Sequence, residues 1–250
     1  MIPALLLRNG GLVKTTRFKN PKYVGDPINA IRIFNDKEVD ELMVLDIDAS
    51  KNSKEPNYDL LEQIAGECFM PLAYGGGVKT LAHARHLFSL GIEKLCIQTA
   101  AFENSSFITQ LSNEFGSQSI VVSIDIKTNW RGRPYVYKSS ASKGLSMNWL
   151  EYIAQMVEVG AGEILLNSVD KDGTLSGPDL QLIRSASKQI SVPLIALGGI
   201  SSLTDIRNCV DAGANAVAAG AFFVYHGPHR AVLITYPKYQ DLEQLFQDVE

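Results

Sequence analysis

The chain has 250 residues, 46% of them hydrophobic and 20% charged, which is enough apolar material for a large globular core. Its 23 Lys and Arg against 27 Asp and Glu give a formal net charge of −4 with no long basic run, which argues against a nucleic-acid or membrane-surface partner. Cys68, Cys96 and Cys209 are odd in number and far apart in apolar settings, the pattern of buried reduced thiols. The opening MIPALLL is too short to cross a bilayer and follows no basic segment, so the expectation is a cytoplasmic protein.

Taken in chain order, short apolar runs recur, each followed by turn residues and then a helical stretch. IPALLLRNGG comes first, then ELMVLDIDAS, MPLAYGGG and KLCIQTAA. SIVVSIDIK, GEILLNSVDKDG, VPLIALGGI and NAVAAGAFF bring the candidate strands to eight, and their nearly continuous apolar character suits strands covered on both faces. Between them lie amphipathic stretches such as TLAHARHLFSLG and SLTDIRNCVDAG, each ending in Gly as a helix stop. Strand alternating with helix eight times predicts an α/β fold, a single-domain (β/α)8 barrel with no internal linker.

The two halves read alike. PLAYGGGV begins at Pro71 and PLIALGGI at Pro193, 122 residues later. The same offset carries Gly76 to Gly198, Gly77 to Gly199, Gly91 to Gly213, Glu41 to Glu163 and Asp48 to Asp170. A doubly wound open sheet has no reason to repeat in this way. The expectation is two related half-barrels, about 1–118 and 119–250.

In such a barrel the chemistry lies where strands end and the following loops begin. That leaves Lys14 beyond strand one, Asp46 and Asp48 after strand two, and Gly75–Gly77 after strand three. Gln98 and Thr99 follow strand four, Asp125 and Lys127 close strand five, and Asp170, Asp172, Gly173 and Thr174 follow strand six. Gly198, Gly199, Gly220 and Ala221 end the last two. Glycine-rich strand ends let backbone N–H groups approach an anion, and the next helix N-terminus adds a favourable partial charge. Strands seven and eight therefore predict one phosphate site, and strands three and four predict its symmetry mate. A phosphorylated small molecule with a phosphate at each end would fit both. Asp125 is the candidate general acid/base. His83, His86, His226 and His229 have no acid or Cys cluster around them, so no metal is expected. There is no dinucleotide glycine fingerprint, no Ser-His-Asp pattern, and no cofactor is expected.

Together GLVKTTRF, VGDP, DELMVLDIDAS, PLAYGGGVKTLAHAR, GIEKLCIQTAA, FGSQSIVVSIDIK, GAGEILLNSVDKDGT and PLIALGGI resemble the cyclase subunit of imidazole glycerol phosphate synthase. The resemblance covers nearly the whole chain in order. It implies a glutaminase subunit on the N-terminal barrel face, with ammonia travelling through the barrel to a bisphosphate-like substrate at the other end. It also implies that Lys14 contacts substrate and that Asp125 is one of two acid/base aspartates. One phosphate would be held by Gly77, Gln98 and Thr99, the other by Asp172, Gly173, Gly199, Gly220 and Ala221. Glu41, Lys94 and Glu163 match charged residues around the ammonia entrance.

The departures are as informative. The family's other catalytic aspartate belongs in a Leu-Asp-Val-Lys-Asp-Gly context, and here Leu5-Leu6-Leu7-Arg8-Asn9-Gly10 puts Leu6 in its place. The entrance arginine of the family would precede Met1, a strand-seven Ser is Leu197, and a strand-four Asn is Gln98. A branch associated with surface-polysaccharide sugar amidation departs in a similar way. Likeness to it implies a barrel that moves ammonia from a glutaminase toward a sugar amidotransferase, with cyclase chemistry impaired. The alternatives are a working cyclase of histidine biosynthesis and a non-catalytic activator of the glutaminase.

Overall fold

The computed structural model describes residues 1–247, and the last three positions of the second expected half lie outside them. The chain begins with β1 (Ile2–Arg8), a hairpin of β2 (Gly11–Thr16) and β3 (Lys19–Gly25), and α1 (Pro27–Asp36). Next come β4 (Leu42–Asp46), α2 (Tyr58–Glu67), β5 (Leu72–Gly75), α3 (Leu81–Ser89), β6 (Lys94–Ile97), α4 (Thr99–Glu103) and α5 (Ser106–Phe115). The middle of the chain holds β7 (Ile120–Thr128), β8 (Pro134–Lys138), β9 (Lys143–Gly144) and α6 (Trp149–Glu158). Then follow β10 (Glu163–Ser168), α7 (Leu180–Ser187), β11 (Leu194–Leu197), α8 (Leu203–Asp211), β12 (Ala216–Ala219) and α9 (Ala221–Val224). A short pair, β13 (Tyr225–His226) and β14 (Ala231–Val232), leads to α10 (Tyr239–Gln247).

Eight of these strands run parallel in the order β1, β4, β5, β6, β7, β10, β11, β12, and β12 pairs back to β1. The sheet closes on itself, giving the expected (β/α)8 barrel. Side chains alternate between its two cores. Along β7, Ile120, Val122, Ile124 and Ile126 face the helices, while Val121 joins Ile2, Met43, Cys96, Leu165 and Ile195 inside the barrel. Both sets are buried, which is why the strands read as continuous apolar runs.

Two of the apolar runs end earlier as strands than their composition implies. KLCIQTAA changes from β6 to α4 at Thr99, and NAVAAGAFF changes from β12 to α9 at Ala221. Apolar residues continue across each junction, so polarity alone does not mark it. The β2–β3 and β7–β8 hairpins, absent from the eight-strand reading, sit beyond the C-terminal ends of β1 and β7. Cys96 and Cys209 are buried, but Cys68 at the end of α2 is only half-buried, contrary to the expectation for it.

The 122-residue offset recurs in the backbone. It carries the bounds of β5 onto β11, β6 onto β12, α3 onto α8 and α1 onto α6. Thr80 caps α3 by accepting the His83 N–H at 3.2 Å, and Ser202 caps α8 by accepting the Asp205 N–H at 3.1 Å. Each such cap is worth about 1 kcal/mol. Gly76 and Gly198 adopt φ of +129° and +107°, and a Cβ on them would lie 2.6 Å from the Asp46 carbonyl oxygen and 2.7 Å from that of Ser168. Both turns require glycine for the same reason, the backbone of the preceding strand end.

Candidate active site

The C-terminal strand ends enclose a cavity of about 530 Å3, lined among others by Leu6, Lys14, Gln98, Asp125, Asn167 and Asp172. Asp125 projects inward from β7 and is only 4% exposed. One carboxylate oxygen accepts from Asn167 Nδ2 at 3.0 Å, and the other accepts from Gln98 Nε2. Gln98 is held in turn by Ser139, whose hydroxyl donates to Oε1 at 2.9 Å. Burial pushes the Asp125 carboxyl up to about 7; the two amide donors oppose that rise and the Asp172 charge adds to it. A carboxyl that exchanges its proton near neutral pH suits acid/base work. Lys127, two residues on, does not pair with it: its Nζ stands 4.4 Å from the centre of the Tyr137 ring.

The other acids of the cavity have partners of a different kind. Lys14 Nζ donates to Asp172 Oδ1 at 2.9 Å, and Thr15 Oγ1 donates to the other oxygen at 3.2 Å, all three residues being buried. Arg8 Nε meets Asp48 Oδ2 at 2.9 Å on the cavity rim. Asp46 closes its own turn by accepting the N–H groups of Asp48 and Ala49, both at 3.0 Å. Burial pushes its carboxyl up too, against those two donors. Leu6, on β1, stands four strands around the barrel from β7, and thus across the cavity from Asp125. Leu45 and Leu197 also line the cavity, which therefore has apolar walls near that side. A leucine offers neither a proton nor a hydrogen bond.

The residues expected to grip phosphate fall into two sets. Gln98 and Thr99 line the main cavity, where Thr99 Oγ1 donates to Ser140 Oγ at 3.2 Å. Gly77 sits just behind the wall, its N–H donating to Ser50 Oγ at 3.2 Å, while neighbouring Gly76 lines the cavity. Asp172, Gly173, Gly199, Gly220 and Ala221 line a narrow cleft of about 10 Å3, room for about one water and too small for a phosphate, and Asp172 and Gly220 also line the main cavity. At Gly220 a Cβ would lie 3.0 Å from the Ala4 carbonyl oxygen and 3.1 Å from Lys14 Cε, so the position is tight against both.

At the opposite end of the barrel, Lys94 Nζ donates to both Glu41 Oε2 and Glu163 Oε1 at 2.9 Å. Burial alone would lower the Lys94 pKa, but hydrogen bonds and charge from Glu163 and Glu41 outweigh it and leave it raised. Asn167, Ser139 and the Arg8–Asp48 pairing carry no signal in the sequence, because each acts through contacts between segments distant in the chain. Among the described residues no three His, Cys, Asp or Glu converge as a metal set, and no helix is long and apolar enough to cross a membrane. His83 lies 3.6 Å from Glu55, and His86 stacks on Tyr58.

Comparison with known proteins agrees with this geometry. The family described as "Histidine biosynthesis protein" matches residues 1–229. A Pseudomonas aeruginosa protein named "Putative imidazole glycerol phosphate synthase subunit hisF2" is 52% identical over 248 residues, covering 97% of each chain. A similarly named Leptospira borgpetersenii protein is 47% identical over 248 residues, 98% of each chain. The Thermobifida fusca imidazole glycerol phosphate synthase subunit HisF is 39% identical over 228 residues, 89% of each. The chain belongs to the histidine biosynthesis protein family, as a HisF-like barrel of the imidazole glycerol phosphate synthase cyclase type.

Proposed function

We propose that this barrel takes ammonia from a glutaminase subunit on its N-terminal face and passes it through the barrel toward a sugar amidotransferase, with cyclisation impaired. The observation that carries the reading is Leu6, facing Asp125 across a cavity that otherwise keeps its polar network. Asp125 and Lys14 would be the remaining catalytic groups. Gln98 and Thr99 on one side of the main cavity, and Asp172 and Gly220 where it meets the narrow cleft, would hold a ligand phosphorylated at both ends, in keeping with two related half-barrels. The Glu41–Lys94–Glu163 cluster would be the ammonia entrance. Above it, Met43, Val121, Leu165 and Ile195 make an apolar interior. Such a lining admits neutral ammonia and penalises ammonium, because an unpaired charge loses its hydration there.

One observation favours a second reading, a working cyclase: an Asp125 carboxyl poised near neutrality, in a chain related to named HisF subunits. The test supplies the phosphoribulosyl formimino carboxamide substrate and excess ammonium salt at alkaline pH. Our reading predicts a raised melting temperature, since ligand binding stabilises the folded state, with little turnover. Robust turnover abolished by Asp125→Asn would replace it with the second reading.

A further inference from the structure

Beside the central cavity lies a second cleft of about 560 Å3 that neither the proposed chemistry nor the expected phosphate grips use. It is lined by Thr16, Arg17, Lys19, Asn20, Lys127, Asp170, Thr174 and Arg230. Four cations therefore face one carboxylate. The cations come from separate parts of the chain: the β2–β3 turn, β7 and the segment between β13 and β14.

The anchoring of these cations is what distinguishes the cleft from a chance surface patch. Arg17 Nε donates to the Asp170 carbonyl oxygen at 3.0 Å, and Arg230 donates from Nη1 to the Gly173 carbonyl at 3.1 Å and from Nη2 to that of Thr174 at 3.0 Å. Carbonyl groups fix a guanidinium in place without neutralising it. Asp170, the one anion, already accepts the Thr128 N–H at 2.8 Å. Among the described residues Lys19 and Lys127 have no ion pair, and the turn that presents Arg17 holds Arg17, Phe18 and Asn20 at φ of +53°, +61° and +50°. Strained backbone and unneutralised cations held side by side both cost stability, and a bound anion offsets the second cost.

We propose that this cleft is a separate anion site that takes the diphosphate group of a small molecule. The net of three positive charges exceeds what one phosphate would neutralise and suits a diphosphate. Lys19 and Asn20 line both this cleft and the central cavity. A single ligand can therefore place its diphosphate here and its remaining part toward Asp125. Arg230 lies just beyond the matched family region, which ends at residue 229.

Titration calorimetry of the intact chain with inorganic pyrophosphate at physiological salt tests the site. Binding is expected, with inorganic phosphate about tenfold weaker. Arg17→Gln and Lys127→Gln should each weaken pyrophosphate about tenfold, while Lys188→Gln, on the end of α7, should leave it unchanged. Lys127 anchors no backbone group, so its variant keeps the fold even if that of Arg17 does not. A tungstate soak of the crystallised protein should then place density between Arg17 and Lys127. No pyrophosphate binding, equal affinity for phosphate, affinity unmoved by Lys127→Gln, or density only at the Gly77 and Gly199 turns would each overturn the proposal. The proposed loss of cyclisation is read by turnover instead, so the two stand or fall separately.

Discussion

At the residue scale, the proposed chemistry turns on two positions that face each other, Asp125 and Leu6. The Asp125 carboxyl, raised by burial to about 7, binds its proton more tightly folded than unfolded. Its contribution to stability is therefore full below about pH 4 and is lost as pH rises through about 7. Asp125→Asn removes that dependence, so the variant should gain on the native protein between pH 4 and 8, by on the order of a few kcal/mol. Melting temperatures of the two across that range check this, and parallel curves would contradict it. Position 6 is the simpler case, since a leucine there leaves the cavity lined as before but without the second acid. Lys14 is tied to Asp172 at 2.9 Å with both residues buried, so it cannot take over a proton transfer without first breaking that pair.

At the scale of elements, the strand ends and their turns set the site. Gly76→Ala and Gly198→Ala should each destabilise by about 2–4 kcal/mol, because a Cβ would strike backbone that cannot yield, at a φ that other residues rarely adopt. Matching losses in denaturant midpoint would show the two turns to be equivalent; a large loss in only one would argue against equivalence. At the barrel floor, Lys94→Met leaves Glu41 and Glu163 without their cation. A loss of about 1–3 kcal/mol at neutral pH is expected from thermal melts, the partial exposure of the cluster keeping it modest, and an unchanged melting temperature would contradict it. The strand–helix alternation and the repeated glycines were legible in the sequence because turn chemistry and two-sided burial act locally. The hairpins after β1 and β7 were not, since β3, for one, is exposed and polar along most of its length and lacks the apolar pattern that marks a strand. The tie between Gln98 and Asp125 was equally hidden: 27 residues separate them, and only adjacent barrel strands bring the amide to the carboxylate.

At the scale of the whole molecule, closure of the sheet joins a charged floor, an apolar interior and a polar mouth along one axis. That sequence of environments is what passage of neutral ammonia requires, and it does not depend on whether cyclisation survives at the top. The strand alternation makes the proposed passage and the outer core from the same strands, so enlarging the interior at Met43 or Leu165 would weaken the fold as well as widen the proposed path. The proposal stands on Leu6 impairing cyclisation in a cavity whose other polar groups are in place. Its most direct test is turnover of the phosphoribulosyl formimino carboxamide substrate in saturating ammonium by the native chain and by Leu6→Asp, with folding of the variant checked by its melting curve. Little product is expected from the native chain and at least about tenfold more from the variant, the range that one positioned acid/base contributes being about 100-fold or more. Native turnover that the restored aspartate does not exceed would contradict it.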